Sequence, residues 1–480
     1  LKLGVDIRSK GYNIFITGLS GTGKQTTVKQ MLESIAPDCP QLYDYVYVNN
    51  FDLPDYPILL TFSAGKGAEF KKDIENAVKF LRDSIPIILE NEPFASRKKK
   101  LISKIADKQH ALFQTFEKKI KKDNFALGQV KVGEALRPEL LYLAGDKAIF
   151  IQNLDELVEK EKLTEKEVEK INEKYESYQD ELQTIFKKNL KSTQDLQEKV
   201  EKLEKSSVKN ILDITFSDVK EKYRDEKITK YLEKMTENIL TELNLFKAPV
   251  NKNQADNEQN QFLDYEVNLL LNNENTKECP VVIETSPNFS NLFGVIEKYS
   301  DGNGGWYADF TRIKCGSLLR ANGGYLVMNA MDAFSEYGVW KHLKRVLLYG
   351  KLEIQDIQSL YNYHPSVLKP EPIPVTTKII LIGNNHLYSL LSNNEDDFNK
   401  IFKIKADFDY EMKRTEKAMQ QYAKVVKSLV EKENLLPLDK SGVIKILEYG
   451  ARYAGNKNKL TTRFAYIADL VREASFWAAD

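Results

Sequence analysis

The chain has 480 residues, with 70 lysines and arginines balanced by 70 aspartates and glutamates, so its formal net charge is zero. This length predicts roughly two to four domains. Balanced charge argues against a general attraction to nucleic acid or to an anionic membrane, and no apolar run approaches the ~18 residues of a membrane span. We therefore expect no nucleic-acid partner and no membrane partner.

The three cysteines, Cys39, Cys279 and Cys315, are widely separated and odd in number. This pattern is typical of a reducing compartment without a disulfide framework, and no signal peptide pattern is present. We therefore expect a cytoplasmic protein. The chain lacks an initiator Met, begins shortly before an apolar strand and ends directly after a predicted helix. We interpret it as a fragment that is trimmed at both ends.

A glycine-rich turn follows the first predicted strand, residues 12–17. It reads GLSGTGK, which matches the P-loop pattern G-x-x-x-x-G-K-[ST] up to its lysine. The glycines let backbone N–H groups curl around phosphate oxygens, and a helix predicted over 26–34 would direct its free N–H groups at the same phosphates. We expect ATP or ADP as the cofactor, bound by Gly18, Gly21, Thr22, Gly23, Lys24, Gln25 and Thr26.

The position after Lys24 departs from the P-loop pattern. Gln25 stands where a Ser or Thr hydroxyl would bind Mg²⁺. Thr26 follows one place late, and we expect it to be the hydroxyl ligand. The pattern thus predicts Mg²⁺ together with the nucleotide, whereas competence in hydrolysis is a separate question.

A long segment, residues 147–248, contains neither glycine nor proline. Its apolar residues recur at intervals of three and four, which is typical of a coiled-coil seam. The seam residues are Val168, Ile171, Tyr175, Tyr178, Leu182 and Ile185, followed by Leu196, Val200 and Leu203. With a helical pattern over 94–122, this predicts a coiled-coil-like helical arm. Such a seam usually packs on a partner helix, and a separate binding role for the arm stays open.

Short apolar runs then return at 279–284, 324–328 and 378–383, as expected of buried parallel strands. From residue 409 onward the pattern is helical. We predict an α/β fold with a P-loop core, a long helical insertion and a C-terminal all-helical lid. The predicted domains are 1–91 (first half of the core), 92–260 (arm), 261–408 (second half of the core) and 409–480 (lid).

The segment from Asn291 to Asp332 contains NLFG, a Gly-Gly-Trp-Tyr turn and the run CGSLLRANGG ahead of a strand. Together with the runs at 397–409 and 460–464, it resembles the AAA+ module of Lon-like ATP-dependent proteases, in the branch related to archaeal-type Lon. The resemblance implies a homo-oligomeric ring, as a hexamer, that threads unfolded protein substrates into a Ser-Lys peptidase chamber. The peptidase domain would follow residue 480.

Two aromatic residues, Trp306 and Tyr307, directly follow two glycines. An exposed aromatic loop tip is unfavourable unless it binds something. The resemblance implies that this turn is a pore loop that grips the substrate polypeptide. The alternative is that both rings are buried locally.

The strand at 325–328 ends in Asn329 and Ala330, where the resemblance implies Asp and Glu. In AAA+ ATPases the Asp binds Mg²⁺ and the Glu polarises the attacking water. Asn329 is therefore expected to be a weak, uncharged metal ligand, and Ala330 supplies no base. Asp332 lies two residues beyond. We expect hydrolysis well below that of an Asp-Glu relative.

The resemblance implies further phosphate-facing residues. Asn384 follows a predicted strand and would face the γ-phosphate, and Arg463 in the lid would reach the phosphates. The arginine finger stays unassigned, because Asn399 and Lys400 fall where arginine is expected. We count Asn329, Asn384 and Arg463 as the candidate catalytic residues.

Three functions stay open. The first is an ATP-driven unfoldase module of a Lon-like serine protease. The second is a nucleotide-binding ring scaffold that gates a peptidase with little or no hydrolysis. The third is a chromosome-type ATPase with a coiled-coil arm, which the absence of an LSGGQ-like signature and of an Asp-Glu pair disfavours.

Overall fold

The computed structural model describes residues 2–18, 28–32, 40–132, 135–144, 147–154, 164–247, 261–300, 306–355 and 368–479. The chain divides into two compact units. The core-and-lid unit comprises Leu1–Asn76 and Ala255–Asp480, and the arm unit comprises Ala77–Gln254.

The strands are short and mostly apolar. In chain order they are β1 Ile14–Thr17, β2 Tyr43–Val48, β3 Ile58–Ser63, β4 Phe125–Val132, β5 Ala135–Ala144, β6 Lys147–Ile149, β7 Val267–Leu271, β8 Val281–Glu284, β9 Val295–Ile296, β10 Tyr299–Ser300, β11 Trp306–Tyr307, β12 Ile313–Lys314, β13 Tyr325–Asn329, β14 Lys351–Leu352, β15 Ile373–Pro374, β16 Lys378–Gly383, β17 Ile404–Asp407, β18 Glu411–Lys413 and β19 Lys459–Thr461.

The helices range from single turns to one of 59 residues. They are α1 Lys2–Asp6, α2 Lys66–Glu90, α3 Glu92–Lys121, α4 Glu165–Tyr223, α5 Glu226–Thr241, α6 Leu243–Lys247, α7 Phe289–Phe293, α8 Ser317–Arg320, α9 Ala330–Ser335, α10 Val339–Tyr349, α11 Asn385–Asn394, α12 Phe398–Ile401, α13 Glu416–Glu433, α14 Lys440–Tyr453 and α15 Phe464–Ala479. Residues 28–32, within the helix predicted after the glycine turn, are helical as well.

The core-and-lid unit contains a five-stranded parallel sheet in the order β17-β1-β16-β13-β8. Its strands β1, β8, β13 and β16 are near-continuous apolar runs, as expected of strands that are covered on both faces, whereas the edge strand β17 contains Lys405 and Asp407. One face packs on α7, α9, α10 and α11, and the other packs on the helical residues 28–32. The predicted α/β fold is confirmed, and the strands predicted at 12–17, 279–284, 324–328 and 378–383 lie in this sheet.

The aromatic and β-branched run at 44–48 also forms a strand, β2, but this strand is not part of the parallel sheet. It pairs antiparallel with β3 and with β7 in a separate three-stranded sheet. β2 and β3 precede the arm in the chain and β7 follows it. An apolar run predicts a strand, whereas the choice of partner strand depends on non-local pairing.

The arm unit contains the predicted long helices. The seam residues Tyr178, Leu182 and Ile185 of α4 are buried against Phe116 and Ile120 of α3. The seam therefore packs on a partner helix, as expected. A three-stranded antiparallel sheet of β4, β5 and β6 joins α3 to the segment before α4, and the sequence analysis missed it.

The lid consists of α13, α14 and α15 around a small apolar core. It is not all-helical as predicted, because β18 and β19 pair antiparallel within it. These strands have only three residues each, and so short a run gives little periodic signal.

Two further observations concern the cysteines and the length of the helices. Cys279 is disulfide-bonded, so the expectation of no disulfide is wrong, while Cys315 is free. Among the helices that the structure describes, none combines the length and the apolar character needed to cross a membrane.

Candidate functional site at the carboxyl edge of the parallel sheet

Three of the predicted site residues lie at the same edge of the parallel sheet. Gly18 follows β1, Asn329 ends β13 and Asn384 follows β16. The strands between them are in register, with Thr17 beside Gly383 and Asn329 beside Ile382. Ligands of open α/β sheets bind outside the carboxyl ends of the strands, which is the edge that carries these residues.

The rest of the predicted phosphate loop lies outside the described residues. This applies to Gly21, Thr22, Gly23, Lys24, Gln25 and Thr26. Their roles in binding nucleotide, and that of Thr26 in binding a metal, therefore stay predictions.

Asn329 has a structural role in addition to its predicted one. It is the N-cap of α9, where its side-chain Oδ1 accepts a hydrogen bond of 2.9 Å from the Met331 N–H. Ala330 is fully buried, and Asp332 is exposed on the first turn of α9. Among the described residues at the end of β13, the candidate metal ligand is thus an uncharged oxygen that already accepts a hydrogen bond. Such a ligand fits Mg²⁺ poorly, because Mg²⁺ prefers carboxylate oxygens.

Asn384 is also an N-cap. Its Oδ1 accepts a hydrogen bond of 2.7 Å from the Leu387 N–H, at the start of α11. The side chain is exposed at the carboxyl edge. Because the cap engages the oxygen, the amide NH₂ is the group with the chemistry to donate to a phosphate.

Arg463 lies in the lid, directly before α15. Its guanidinium carbon lies 5.6 Å from the ring centre of Tyr410 and 5.7 Å from that of Tyr453. These distances fit cation–π contacts, which hold the charge against the lid. The contacts of Arg463 in the described part of the chain do not include Gly18, Asn329 or Asn384, so its phosphate role stays a prediction.

The two residues at the unassigned arginine-finger position make local contacts. The Lys400 ammonium lies 3.0 Å from the Asp397 carboxylate, and the Asn399 amide donates to the backbone oxygen of Ser392 at 3.0 Å. These contacts do not assign an arginine finger.

Two carboxylates at the carboxyl edge were missed by the sequence analysis. Asp407 ends β17, where the Thr17 hydroxyl donates to it and Lys405 pairs with it at 3.0 Å. This hydrogen bond and this ion pair hold the pKa of Asp407 below its usual value. Glu284 ends β8 and is only 8% exposed. For Glu284, an acidic residue directly after an apolar run was the available signal.

Trp306 and Tyr307 form β11, which pairs with β10 as a short antiparallel hairpin. Their side chains are 69% and 41% exposed. The Tyr299 hydroxyl donates to Asp309 at 2.7 Å near the base of this hairpin. The rings are therefore not buried locally, and the pore-loop role stays a prediction.

A parallel sheet with a P-loop sequence after an interior strand, followed by a helical lid, is the architecture of AAA+ modules. Family profiles agree and narrow the assignment. Residues 277–409 match a LonB-like AAA domain, residues 437–480 match the lid domain of an archaeal LonB AAA+ ATPase, and residues 44–77 match a helical domain of Lon-like LonC. These three matches support a Lon-related AAA+ module.

Comparisons with whole proteins add little. No curated protein is significantly similar to the chain. Among solved structures, a crystal structure of NtrX from Brucella abortus matches with 16% identity and a TM-score of 0.28. That match covers 42% of this chain and 41% of NtrX, and at this score it supports no argument about function.

Replacing Asn329 with aspartate would restore a negative charge at the end of β13 without loss of the helix cap. Asn329→Asp is expected to keep the cap, because Asp and Asn cap helices about equally well, and to change stability by less than about 0.5 kcal/mol. It adds the negative charge that Mg²⁺ prefers. We expect Mg²⁺ to strengthen ADP binding about tenfold more in the variant than in the wild type, which is about 1.4 kcal/mol.

Titration of a fluorescent ADP analogue with and without Mg²⁺ measures this difference. An equal effect of Mg²⁺ on the two proteins would show that residue 329 does not approach the metal. Ala330→Glu is not a useful partner substitution, because Ala330 is fully buried in the apolar core and a carboxylate there would be desolvated.

Proposed function

We propose that this chain is the nucleotide-binding AAA+ module of a Lon-type ATP-dependent serine protease. It assembles into a hexameric ring and unfolds or admits polypeptides for a Ser-Lys peptidase domain. The main support is that the P-loop sequence directly follows β1 in the chain and that Gly18 lies on the same edge as Asn329 and Asn384. The match to a LonB-like AAA domain adds to it. ATP and ADP are the proposed ligands, with Mg²⁺ as the expected but poorly matched metal.

A second candidate function follows from the end of β13. Asn329 is uncharged and engaged as a cap, and Ala330 has no ionisable group. Loss of a metal ligand and of a base costs transition-state stabilisation without removing nucleotide binding. The second candidate is therefore a ring scaffold that binds nucleotide, hydrolyses it little and gates a peptidase.

Both candidates require nucleotide binding at Lys24, which gives a direct prediction. Saturating ADP, at about 100 times its Kd, is expected to stabilise the wild type by about 2.7 kcal/mol and to raise its unfolding midpoint. Lys24→Ala is expected to lose most of this shift, because it removes the charge that binds the phosphates. Lys29→Ala, on the helical segment that follows, is the matched control and is expected to keep the shift.

Thermal unfolding with and without ADP measures all three proteins. An equal shift in the wild type and in Lys24→Ala, or no shift in either, would refute nucleotide binding at this loop.

The location is a separate proposal. The sequence favours the cytoplasm, and we retain that proposal. Disulfides persist mainly in oxidising compartments, so the bonded state of Cys279 argues against it.

A further inference from the structure

Glu284 is a buried carboxylate that none of the roles above uses. It is the last residue of β8, the strand beside β13, and it lies in register with Met328. Neighbouring strands are about 4.8 Å apart. Glu284 therefore lies one strand away from the end of β13, where the catalytic carboxylate of an AAA+ site is missing.

The face of the sheet supports this placement. Met328 and Ala330 both belong to the apolar core on the α10 side of the sheet. Residues in register on adjacent strands point to the same face, so Glu284 shares the face of Ala330. Glu284 is thus on the same side of the sheet as position 330, where alanine replaces the expected catalytic glutamate.

Two contacts hold the carboxylate of Glu284 in place. Its Oε1 accepts a hydrogen bond of 3.0 Å from the N–H of Ser286, two residues past the end of β8. Its Oε2 lies 3.9 Å from a guanidinium nitrogen of Arg320. The side chain is only 10% exposed, so the carboxylate is fixed and shielded from bulk water.

Other carboxylates are placed less well for this task. Asp407 is on β17, on the opposite side of β1 from β16 and β13. Asp332 is exposed on the first turn of α9. Unlike Asp407 and Asp332, Glu284 is both buried and on the strand adjacent to β13.

We propose that Glu284 is the general base for a slow ATP hydrolysis. It takes the role of the glutamate for which this chain has Ala330. The proposal rests on nucleotide binding as proposed above. The oxygen of a water molecule bonds to the γ-phosphorus while the bond from phosphorus to the β,γ-bridging oxygen breaks. ADP leaves with that electron pair. Glu284 accepts a proton from the attacking water and returns it to solvent after phosphate departs.

The test compares three substitutions in single-turnover hydrolysis of ATP labelled in the γ-phosphate. Glu284→Gln keeps an oxygen that can accept from Ser286 but cannot take a proton, and it is expected to lower the rate about 100-fold. Glu284→Asp withdraws the carboxylate by one methylene and is expected to retain part of the rate. Glu297→Gln is the control, because Glu297 pairs with Lys314 at 2.7 Å near the hairpin and is expected to leave the rate unchanged.

ADP affinity and the unfolding midpoint are measured on the same samples. Unchanged affinity and folding with a lost rate in Glu284→Gln alone support the proposal. A wild type that binds nucleotide but shows no hydrolysis, or a Glu284→Gln variant as active as the wild type, would overturn it while leaving nucleotide binding intact. A wild type that binds no nucleotide would overturn the proposed function itself.

Discussion

Changing Trp306 and Tyr307 together to alanine is expected to weaken binding of an unfolded polypeptide at least tenfold. Exposed aromatic anchors that become buried on binding each contribute about 2 kcal/mol or more. The two rings are 69% and 41% exposed, so their removal takes little from the folded core. The free energy of unfolding is expected to fall by less than about 1 kcal/mol.

Fluorescence anisotropy with a dye-labelled, reduced casein measures the binding, and a urea titration measures the stability. The control is alanine substitution of Phe476 and Trp477, an exposed aromatic pair at the end of α15, with 63% and 73% exposure. This control pair is expected to leave binding unchanged. Equal loss of binding in the two double variants would mean that the hairpin has no specific role. A drop in stability of roughly 3–5 kcal/mol per ring would instead identify core residues.

Gly324→Ala is expected to destabilise the parallel sheet by about 3 kcal/mol or more, because it forces two backbones apart. A Cβ at residue 324 would lie 2.1 Å from the backbone oxygen of Pro280. The same oxygen accepts a hydrogen bond of 2.8 Å from the N–H of Tyr325, which aligns β8 with β13. The added methyl group therefore separates the strand that carries Glu284 from the strand that carries Asn329.

A matched control exists in the lid. Gly442 lies in α14, where the atom nearest to an added Cβ belongs to the flexible side chain of Leu438, at 3.1 Å. Gly442→Ala is expected to leave stability unchanged or slightly raised, since alanine favours helix. Urea unfolding of the two variants gives the comparison. A stability of Gly324→Ala within about 1 kcal/mol of the wild type would show that β8 and β13 adjust without cost.

Local sequence patterns predict several elements of this protein correctly. Apolar runs located β1, β13 and β16, because a strand covered on both faces must be apolar throughout. The spacing of the α4 seam predicted its packing on another helix, because side chains three and four apart share a helix face. The P-loop pattern and the Lon-like segments were likewise legible from residue order alone.

The neighbours of these elements depend on non-local pairing, which is visible in the folded chain and not in the local sequence. The residues of β2 are typical of a strand, but β2 pairs with β3 and β7 and not with the parallel sheet. The sequence predicts a weak metal ligand at Asn329, but in the structure its side-chain oxygen accepts a hydrogen bond from the Met331 N–H at the start of α9. Glu284 belongs to no recognisable sequence motif. Its position near Ala330 results from the pairing of β8 with β13. Hydrogen bonds between strands join residues far apart in the chain, and local composition does not encode that choice.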